Sequence, residues 1–453
     1  MRKVVAATIT AAGLVAAGCT ASTPSSDEGP VEPSPSGSSP AGSGPISLRF
    51  AVYGDKALVA SYVDLADAFT KKNPQVRIKV DHTRSAATAN ADLDTEFAAG
   101  TAPDVFLLGA GELPRMVEAG RVQPVDALLE ERDVDFGDGY QRDGLEAFSG
   151  ESALQCMPNE VSPVVVYYNA ELLNLRALVE AGDEPLSART GWSFTQFATA
   201  ARRIAKGRTI GLHIEPDLDA LAPFIWSAGG DLVDDLEAPT SLTLSGGDAP
   251  EALAEVLALV RDTGVAPTQR QLARQGAVDL FEQGRLGMIL GTRQLTPGFR
   301  DAEGLRFEVF PIPSLGSFRT ISSITGYCMS SETEHVEAAA DFIAFAVGRQ
   351  GATITSLSGY VVPSNVEVVQ SPAFIQPDQQ PRNSFVFSEA VQLANETPLV
   401  AEWPRVVRET HPLIDRMFYA PVIDLEALLA KIDAQSQTIL APDVPPAETP
   451  EVE

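Results

Sequence analysis

The segment 46–108 alternates between strand-like and helix-like patterns, and this order restricts the folds open to the chain. ISLRFAV (46–52) alternates apolar and polar side chains as a half-buried strand does. QVRIKV (75–80) alternates in the same way, and DVFLL (104–108) is a short apolar run. A helical spacing of apolar residues separates the first two strands and ends at Asn73-Pro74: Val59, Tyr62, Val63, Ala66 and Phe69. With a second helix before DVFLL, this order predicts a parallel sheet covered by helices.

The same order resumes after Pro158. VVVYYN (164–169) and GMILG (287–291) are predicted strands, and Ser193 with Gln196 forms a capping box that begins a helix. Roughly 400 residues follow the N-terminal segment, which is more than one hydrophobic core usually serves. The apolar content of 44% and the charged content of 21% are ordinary for a soluble globular protein. We therefore expect an α/β protein with two lobes.

The first 45 residues are predicted to lie outside both lobes. Arg2 and Lys3 precede an apolar run that ends at Gly18, so residues 1–18 are a predicted signal peptide. Cys19 follows, and a cysteine at this boundary resembles the lipobox of bacterial lipoproteins, although Ala16 stands where leucine is usual. The resemblance implies a lipid on Cys19 that anchors the protein to the membrane; plain secretion is the alternative. Residues 19–45, rich in Ser, Pro and Gly, are a predicted disordered tether, and residues 442–453 a disordered tail.

Charge and cysteine content exclude some partners. A net charge of −28 argues against nucleic acid, whose phosphates require a basic surface. Cys156 and Cys328 are the only cysteines after Cys19. In an exported protein they can form a disulfide or remain as two buried thiols, and the sequence leaves both alternatives open.

Enzyme motifs are missing from the sequence. It contains no phosphate-binding G-x-x-x-x-G-K-[ST] and no G-x-S-x-G, and GAGELP (109–114) lacks the third glycine of a dinucleotide loop. Its four histidines, which have no metal-ligand spacing, are His82, His213, His335 and His411. We predict no catalytic residue, no metal and no cofactor, although a pair of carboxylates acting on a glycosidic bond stays open.

Several stretches, in this order along the chain, carry a resemblance: APDVFLLGAGELPRMVEAGRVQPVD, MPNEVSPVVVYYNAELL, GWSFTQFATAARRIA, FIWSAGGDLVDD, LFEQGRLGMILGTRQL, ITGYCMSSETEHVEAAADFIAFAV, GYVVPSNVEV and ETPLVAEWPRVV. They resemble the extracellular solute-binding proteins of ABC importers, in the group related to maltose-binding protein that mostly carries sugars. The resemblance covers nearly the whole body of the chain. One departure is Thr292-Arg293, where relatives often carry an aromatic residue.

The resemblance implies a two-lobed periplasmic-binding-protein fold, each lobe a sheet flanked by helices, with several strands forming the hinge. We predict that residues 46–160 and 315–355 form lobe 1 and that residues 161–314 and 356–441 form lobe 2. The implied function is a monomeric, non-enzymatic protein that holds a sugar or oligosaccharide between its lobes and delivers it to ABC importer permease subunits. A surface-anchored hydrolase and a ligand sensor of the same fold are the alternatives. A polyol, a glycerol phosphodiester or a peptide-like ligand also stays open.

Ligands of such sheets lie beyond the carboxyl ends of the strands, so the residues there are the candidate ligand contacts. Aromatic rings suit the C–H faces of sugars, and short polar groups suit their hydroxyls. The candidates are Tyr53, Asp55, Gly111, Glu112, Asn159, Glu160, Ser162, Trp226, Thr292, Arg293, Tyr327 and Trp403. Each also has a structural interpretation: helix caps and turns for the short polar residues, an ion pair for Arg293, and core packing for the aromatic residues. Trp192, Tyr167 and Tyr168 are predicted to pack rather than bind.

Overall fold

A computed structural model of the protein describes residues 45–150, 152–178 and 186–443. The predicted signal peptide, Cys19, the tether up to residue 44 and the tail from residue 444 lie outside the described residues and stay predictions. None of the described helices is long and apolar enough to cross a membrane.

The strands are β1 (Ile46–Tyr53), β2 (Val76–Thr83), β3 (Val105–Gly109), β4 (Val122–Gln123), β5 (Ser149–Gly150), β6 (Ala153–Leu154), β7 (Cys156–Pro163), β8 (Val165–Asn169), β9 (Ile210–His213), β10 (Leu286–Gly291), β11 (Phe307–Phe310), β12 (Thr320–Ser330) and β13 (Ala394–Asn395). The helices are α1 (Lys56–Lys72), α2 (Ala86–Ala99), α3 (Leu113–Glu118), α4 (Asp126–Glu130), α5 (Arg142–Ala147), α6 (Phe194–Ile204), α7 (Leu218–Ala228), α8 (Ala249–Val260), α9 (Gln269–Leu272), α10 (Ala277–Glu282), α11 (Thr296–Asp301), α12 (Val336–Val347), α13 (Arg349–Leu357), α14 (Val366–Val369), α15 (Pro372–Ile375), α16 (Phe385–Val391), α17 (Trp403–Tyr419) and α18 (Leu425–Leu440). Short 3-10 helices cover Ala110–Glu112, Leu175–Leu178 and Arg293–Leu295.

Lobe 1 is built on a sheet with the order β13-β12-β3-β1-β2, to which β4 and β7 add through β12. β1 pairs in parallel with β2 and β3, which confirms the predicted parallel core. The alternation in β1 buries Leu48, Phe50 and Val52 against the helices. Helix α1 begins after its cap Asp55 and ends at Asn73, as its pattern predicts. The other apolar residues of the predicted spacing are buried on α1 together with Leu58 and Leu65, whereas Val63 is 40% exposed and does not belong to the buried stripe.

Lobe 2 is built on a four-stranded sheet with the order β11-β8-β10-β9. Strand β8 is buried on both faces: Val166 and Tyr168 lie in one apolar cluster, and Val165 and Tyr167 lie in another. Helices therefore cover both faces of this sheet, as expected from the continuous apolar sequence of β8. The predicted fold class, α/β with two sheets flanked by helices, is confirmed.

The long antiparallel pair β7 and β12 joins the two lobes. At one end of this pair, Met157 and Tyr327 belong to the core of lobe 1. At the other end, Ile321 belongs to a core cluster of lobe 2. A third crossing falls between Val361, in the lobe 1 cluster, and Val362, in a lobe 2 cluster. The predicted lobe boundaries stay predictions, and this third crossing leads us to propose residue 361 rather than 355 as the end of lobe 1.

Cys156 and Cys328 lie directly opposite each other on β7 and β12, with their Cα atoms 4.4 Å apart. Their sulfur atoms are bonded in the structure. The disulfide ties the lobe 1 ends of the two hinge strands together across a sequence separation of 172 residues. It therefore fixes where the hinge begins without restricting the lobe 2 ends of the same strands.

Replacing both cysteines with alanine is expected to lower the free energy of unfolding by about 2–4 kcal/mol, because the cross-link restricts the unfolded chain. Urea unfolding followed by circular dichroism measures this change. Reductant added to the wild-type protein should produce a similar loss and should leave the double variant unaffected. A wild-type protein whose stability does not respond to reductant would contradict the prediction.

Candidate functional site

A cavity of about 390 Å³ lies where the two lobes meet. Lobe 1 contributes Gly109, Ala110 and Gly111 at the end of β3, and lobe 2 contributes Trp403. The hinge strand β12 forms the wall between them at Ser322. A groove of about 430 Å³ also exists, but its walls belong to lobe 1 alone. In that groove the Arg49 guanidinium already pairs with Asp81 and Glu96, and Lys79 pairs with Asp81.

The turn after β1 holds Tyr53 and Asp55, and neither residue is among those that line the cavity. Gly54 has a φ of 137°, and a Cβ atom there would lie 2.7 Å from the Leu58 side chain, so the turn requires glycine. Asp55 caps α1, since its Oδ1 accepts hydrogen bonds of 2.9 Å from the backbone N–H groups of Ala57 and Leu58. Burial, together with the carboxylates of Glu160 and Glu112, raises the pKa of the Tyr53 hydroxyl. Tyr53 is thus a neutral hydroxyl near the hinge, and Asp55 performs the capping role that was its structural interpretation.

The end of β3 places Gly111 and Glu112 in the 3-10 helix before α3. A Cβ atom added to Gly111 would meet nothing within 4 Å, so the backbone here is open to the cavity. Glu112 accepts a hydrogen bond of 3.0 Å from Nε of Arg115. Gly111 therefore lies at the predicted site, whereas Glu112 is held in an ion pair beside it.

Strand β7 carries three of the predicted ligand contacts, Asn159, Glu160 and Ser162, and all three are buried. The Asn159 amide donates to the Tyr62 hydroxyl at 3.4 Å. Burial raises the pKa of Glu160 to about 8, although Ser162, Gln294 and Arg293 nearby act to lower it. Near pH 7 the Glu160 carboxyl is therefore mostly protonated.

Arg293 follows β10 in lobe 2 and is fully buried. Its guanidinium lies 4.2 Å from the ring centroid of Phe374, and Nη2 donates to the Phe374 carbonyl at 2.7 Å. Burial lowers the pKa of Arg293 to about 9. Thr292 precedes it, and the Tyr167 hydroxyl donates to the Thr292 carbonyl at 2.9 Å. The end of β10 is thus fixed from both sides, by Phe374 and by Tyr167.

Unpartnered polar atoms gather around the hinge. Among the described residues, no hydrogen-bond partner exists for Oε1 of Glu160, Oγ of Ser162, the Tyr327 hydroxyl, or Nε and Nη1 of Arg293. Burial, with Glu160 as a further cause, raises the pKa of Tyr327. Each unsatisfied buried group costs about 1–3 kcal/mol, so several in one place indicate a functional site. The structure therefore brings Tyr53, Glu160, Ser162, Arg293 and Tyr327 together at the junction of the lobes.

Comparisons with known proteins identify the family. Residues 64–381 match the family of bacterial extracellular solute-binding proteins. The chain belongs to this family. A binding protein of Brucella abortus is 22% identical over 390 residues, covering 82% of this chain and 89% of that protein. The substrate-binding protein Lmo0181 of Listeria monocytogenes is 21% identical with a TM-score of 0.75, and 85% of this chain and 97% of that chain are covered. For the GacH receptor of Streptomyces glaucescens the identity is 20%, the TM-score 0.74 and the coverage 88% and 99%.

The two candidate tryptophans of this solute-binding protein lie in different environments. Trp403, the first residue of α17, is 5% exposed and lines the cavity. Trp226, on α7, is 8% exposed within the apolar core of lobe 2 and lies outside the cavity lining. Its position favours the core-packing interpretation, and its role as a sugar platform stays a prediction. Trp192 donates from Nε1 to the Pro311 carbonyl at 2.9 Å and packs at the start of α6, as expected.

Seven polar residues that line the cavity of this solute-binding protein were not predicted from the sequence: Asp143, Asp219, Ser322, Ser323, Asn395, Glu396 and Thr397. Asp219 and Glu396 come shortly after strands β9 and β13, neither of which was predicted. The rule that ligands lie beyond strand ends would have selected both residues once these strands were known. Asp143 lies on the short helix α5 and carries no comparable signal. Within the described residues, no group of three or more His, Cys, Asp or Glu side chains is arranged to hold a metal ion.

Replacing Glu160 with glutamine is expected to flatten the dependence of stability on pH. The folded protein holds the Glu160 proton up to about pH 8, whereas a glutamate in the unfolded chain, with its ordinary pKa of 4.5, releases the proton at much lower pH. The stabilisation that this proton gives to the folded state is therefore complete below pH 4.5 and is lost as the pH rises through 8. Each unit of pKa shift corresponds to about 1.4 kcal/mol, so the loss by pH 9 amounts to a few kcal/mol.

Thermal unfolding between pH 5 and pH 9 tests this expectation. The melting temperature of the wild-type protein should fall more steeply above pH 6 than that of Glu160→Gln. Glu255→Gln, at an exposed position of α8, is the matched control and should follow the wild type. Equal slopes for the wild type and Glu160→Gln would show that Glu160 is ionised in the folded protein.

Proposed function

We propose that this protein captures a sugar or oligosaccharide outside the cytoplasm and delivers it to an ABC importer. The observation that carries the proposal is the cavity of about 390 Å³ whose walls come from both lobes and from the hinge. Its volume falls within the roughly 300–1,000 Å³ of small-molecule sites. Trp403 offers a flat apolar surface for a sugar ring, while Ser322 and Asn395 offer polar groups for its hydroxyls.

Solved relatives of the same fold support a saccharide as the ligand. Lmo0181 was solved in complex with cycloalternan and the GacH receptor in complex with acarbose. A Thermus thermophilus protein with a TM-score of 0.68 was solved with bound maltotriose. These ligands are carbohydrates held by proteins whose lobes align with those of this chain over most of its length.

The mechanism follows from the hinge. Strands β7 and β12, with the third crossing near Val361, can bend while each sheet stays intact. A ligand that contacts Gly111 in lobe 1 and Trp403 in lobe 2 favours the closed state, because only that state offers both sets of contacts. A permease that binds only the closed state then accepts only protein that carries a ligand.

The remaining parts of the proposal concern location and partners. We propose that a lipid on Cys19 holds a monomeric protein at the outer face of the cytoplasmic membrane and that residues 19–45 act as the tether. Restricting the protein to this surface raises its effective concentration for the permease subunits.

A thermal-shift titration of the purified protein with maltose, maltotriose and acarbose tests the proposed function. At least one saccharide should raise the melting temperature progressively with its concentration. Chromatography should recover the saccharide unchanged. The cavity contains carboxylates, which are the catalytic groups of glycoside hydrolases, so a hydrolase is the competing function. Consumption of the saccharide would favour that hydrolase, and the absence of any shift across neutral and charged saccharides would contradict saccharide binding.

A further inference from the structure

The charged side chains that line the cavity are all acidic. Asp143 comes from lobe 1, Asp219 from lobe 2, and Glu396 follows β13, whereas the described residues that line the cavity include no lysine, arginine or histidine. We propose that the ligand of this cavity is an amine-bearing saccharide whose ammonium groups are held by these carboxylates. This inference rests on the proposed function and specifies the ligand class of that site.

Among the described residues, none of the three carboxylates forms an ion pair with a basic side chain. The charged neighbours that act on Asp143 and Glu396 are acids, Glu146 among them, and the one that acts on Asp219 is Asp217. Asp219 and Glu396 each expose part of their surface to solvent and Asp143 is half-buried, so a ligand can reach all three. Limited hydration by the surrounding protein, followed by these like charges, raises the pKa of each carboxyl, that of Asp219 to about 6. A bound cation would relieve this repulsion.

The carboxylates are distributed so that they couple ligand charge to lobe closure. Asp143 and Glu396 lie close enough to affect each other, whereas Asp219 stands apart from them on lobe 2. Closure brings like charges on opposite walls together, which opposes the closed state unless positive charge lies between them. A neutral saccharide leaves this repulsion in place, and an anionic one increases it. A saccharide with several amines can meet both groups of carboxylates at once.

Other features of the cavity fit an aminosugar better than a metal ion. The indole of Trp403 attracts both the C–H face of a sugar ring and an ammonium group. Oγ of Ser322 has no hydrogen-bond partner among the described residues and is free for a ligand hydroxyl. The described acidic and histidine side chains do not reach metal-ligand spacing anywhere, so a divalent cation is not the expected occupant.

A charge series of trisaccharides tests the proposal. The purified protein is titrated by calorimetry at about pH 6.5 with chitosan trisaccharide, N-acetylchitotriose and trigalacturonate, which carry free amines, neutral amides and carboxylates. The chitosan trisaccharide should bind at least tenfold more tightly than N-acetylchitotriose, and trigalacturonate should not bind. Raising the ionic strength from about 0.01 M to 0.15 M shortens the Debye length from about 30 to 8 Å, so the affinity for the amine should fall several-fold.

Variants identify the groups responsible. Asp219→Asn and Glu396→Gln should each weaken binding of the chitosan trisaccharide about tenfold and leave any binding of N-acetylchitotriose unchanged. Glu255→Gln, outside the cavity, is the matched control and should retain the wild-type affinity.

The outcomes separate this inference from the proposed function. If maltotriose or N-acetylchitotriose binds as tightly as the chitosan trisaccharide, or if Asp219→Asn keeps the preference, the amine inference is wrong and saccharide binding stands. If none of these saccharides binds, both are wrong.

Discussion

Replacing Trp403 with alanine is expected to weaken saccharide binding about 30-fold or more. The indole lines the cavity where the lobes meet, and it is the one aromatic ring among the described residues of the lining, so removing it deletes the surface best suited to stack on a sugar ring. Buried aromatic residues at the centre of binding sites typically contribute 2 kcal/mol or more, and about 1.4 kcal/mol corresponds to a factor of ten in affinity. Calorimetric titration with maltotriose and chitosan trisaccharide measures the loss for whichever of them the wild type binds.

Trp403→Phe is the matched variant for this experiment. It keeps a flat ring at the start of α17 and should lose less than about fivefold in affinity. Because Trp403 also packs against the lobe 2 core, the alanine variant should be studied well below its melting temperature, with circular dichroism confirming the fold. If the folded Trp403→Ala variant binds the saccharide with unchanged affinity, Trp403 does not take part in ligand binding.

Replacing Trp226 with alanine is expected to have the opposite profile: a large loss of stability and little change in affinity. Trp226 is 8% exposed within the apolar core cluster of lobe 2, so truncation leaves a cavity in the core. Losses of about 3–5 kcal/mol are usual for such truncations. Urea unfolding measures the free energy, and calorimetry on the folded protein should give an affinity within about threefold of the wild type.

Trp226→Phe should restore most of that stability, because a phenyl ring refills much of the volume. A Trp226→Ala variant that kept its stability and lost saccharide binding would return Trp226 to the ligand site and would refute its placement in the core. The two alanine variants therefore test the assignment in opposite ways. Trp403→Ala is expected to lose mainly affinity for the saccharide, and Trp226→Ala is expected to lose mainly stability.

The fold could be predicted from sequence wherever one local pattern determined a whole element. The alternation in β1, the continuous apolar run of β8 and the capping box at Ser193 each predicted their elements correctly. These patterns succeed because burial on one or two faces restricts which side chains are tolerated. The state of Cys156 and Cys328 could not be decided in this way, since their pairing depends on the register between two strands far apart in sequence.

The candidate site was only partly predictable for the same reason. Glycines and polar residues expected after strand ends drew attention to Gly111, Glu160 and Arg293. Gly111 lines the cavity, whereas Glu160, inside β7, and Arg293 are buried beside the hinge and are not among the lining residues. Trp226 and Trp403 could not be ranked, because burial of a tryptophan depends on which helix faces the cavity. Asp219 and Glu396 reach the cavity only through the packing of α7 and of the segment after β13, and no local pattern marks either residue.

The most direct test of saccharide capture by lobe closure is a distance measurement across the cleft. Spin labels at Val63→Cys on α1 and Val422→Cys before α18 lie on exposed positions of lobe 1 and lobe 2. Pulsed electron spin resonance should show a broad distribution of distances without ligand, and a shifted, narrower distribution once chitosan trisaccharide or maltotriose is bound. If calorimetry shows that the saccharide binds while the distribution stays unchanged, the protein does not capture its ligand by closing its lobes.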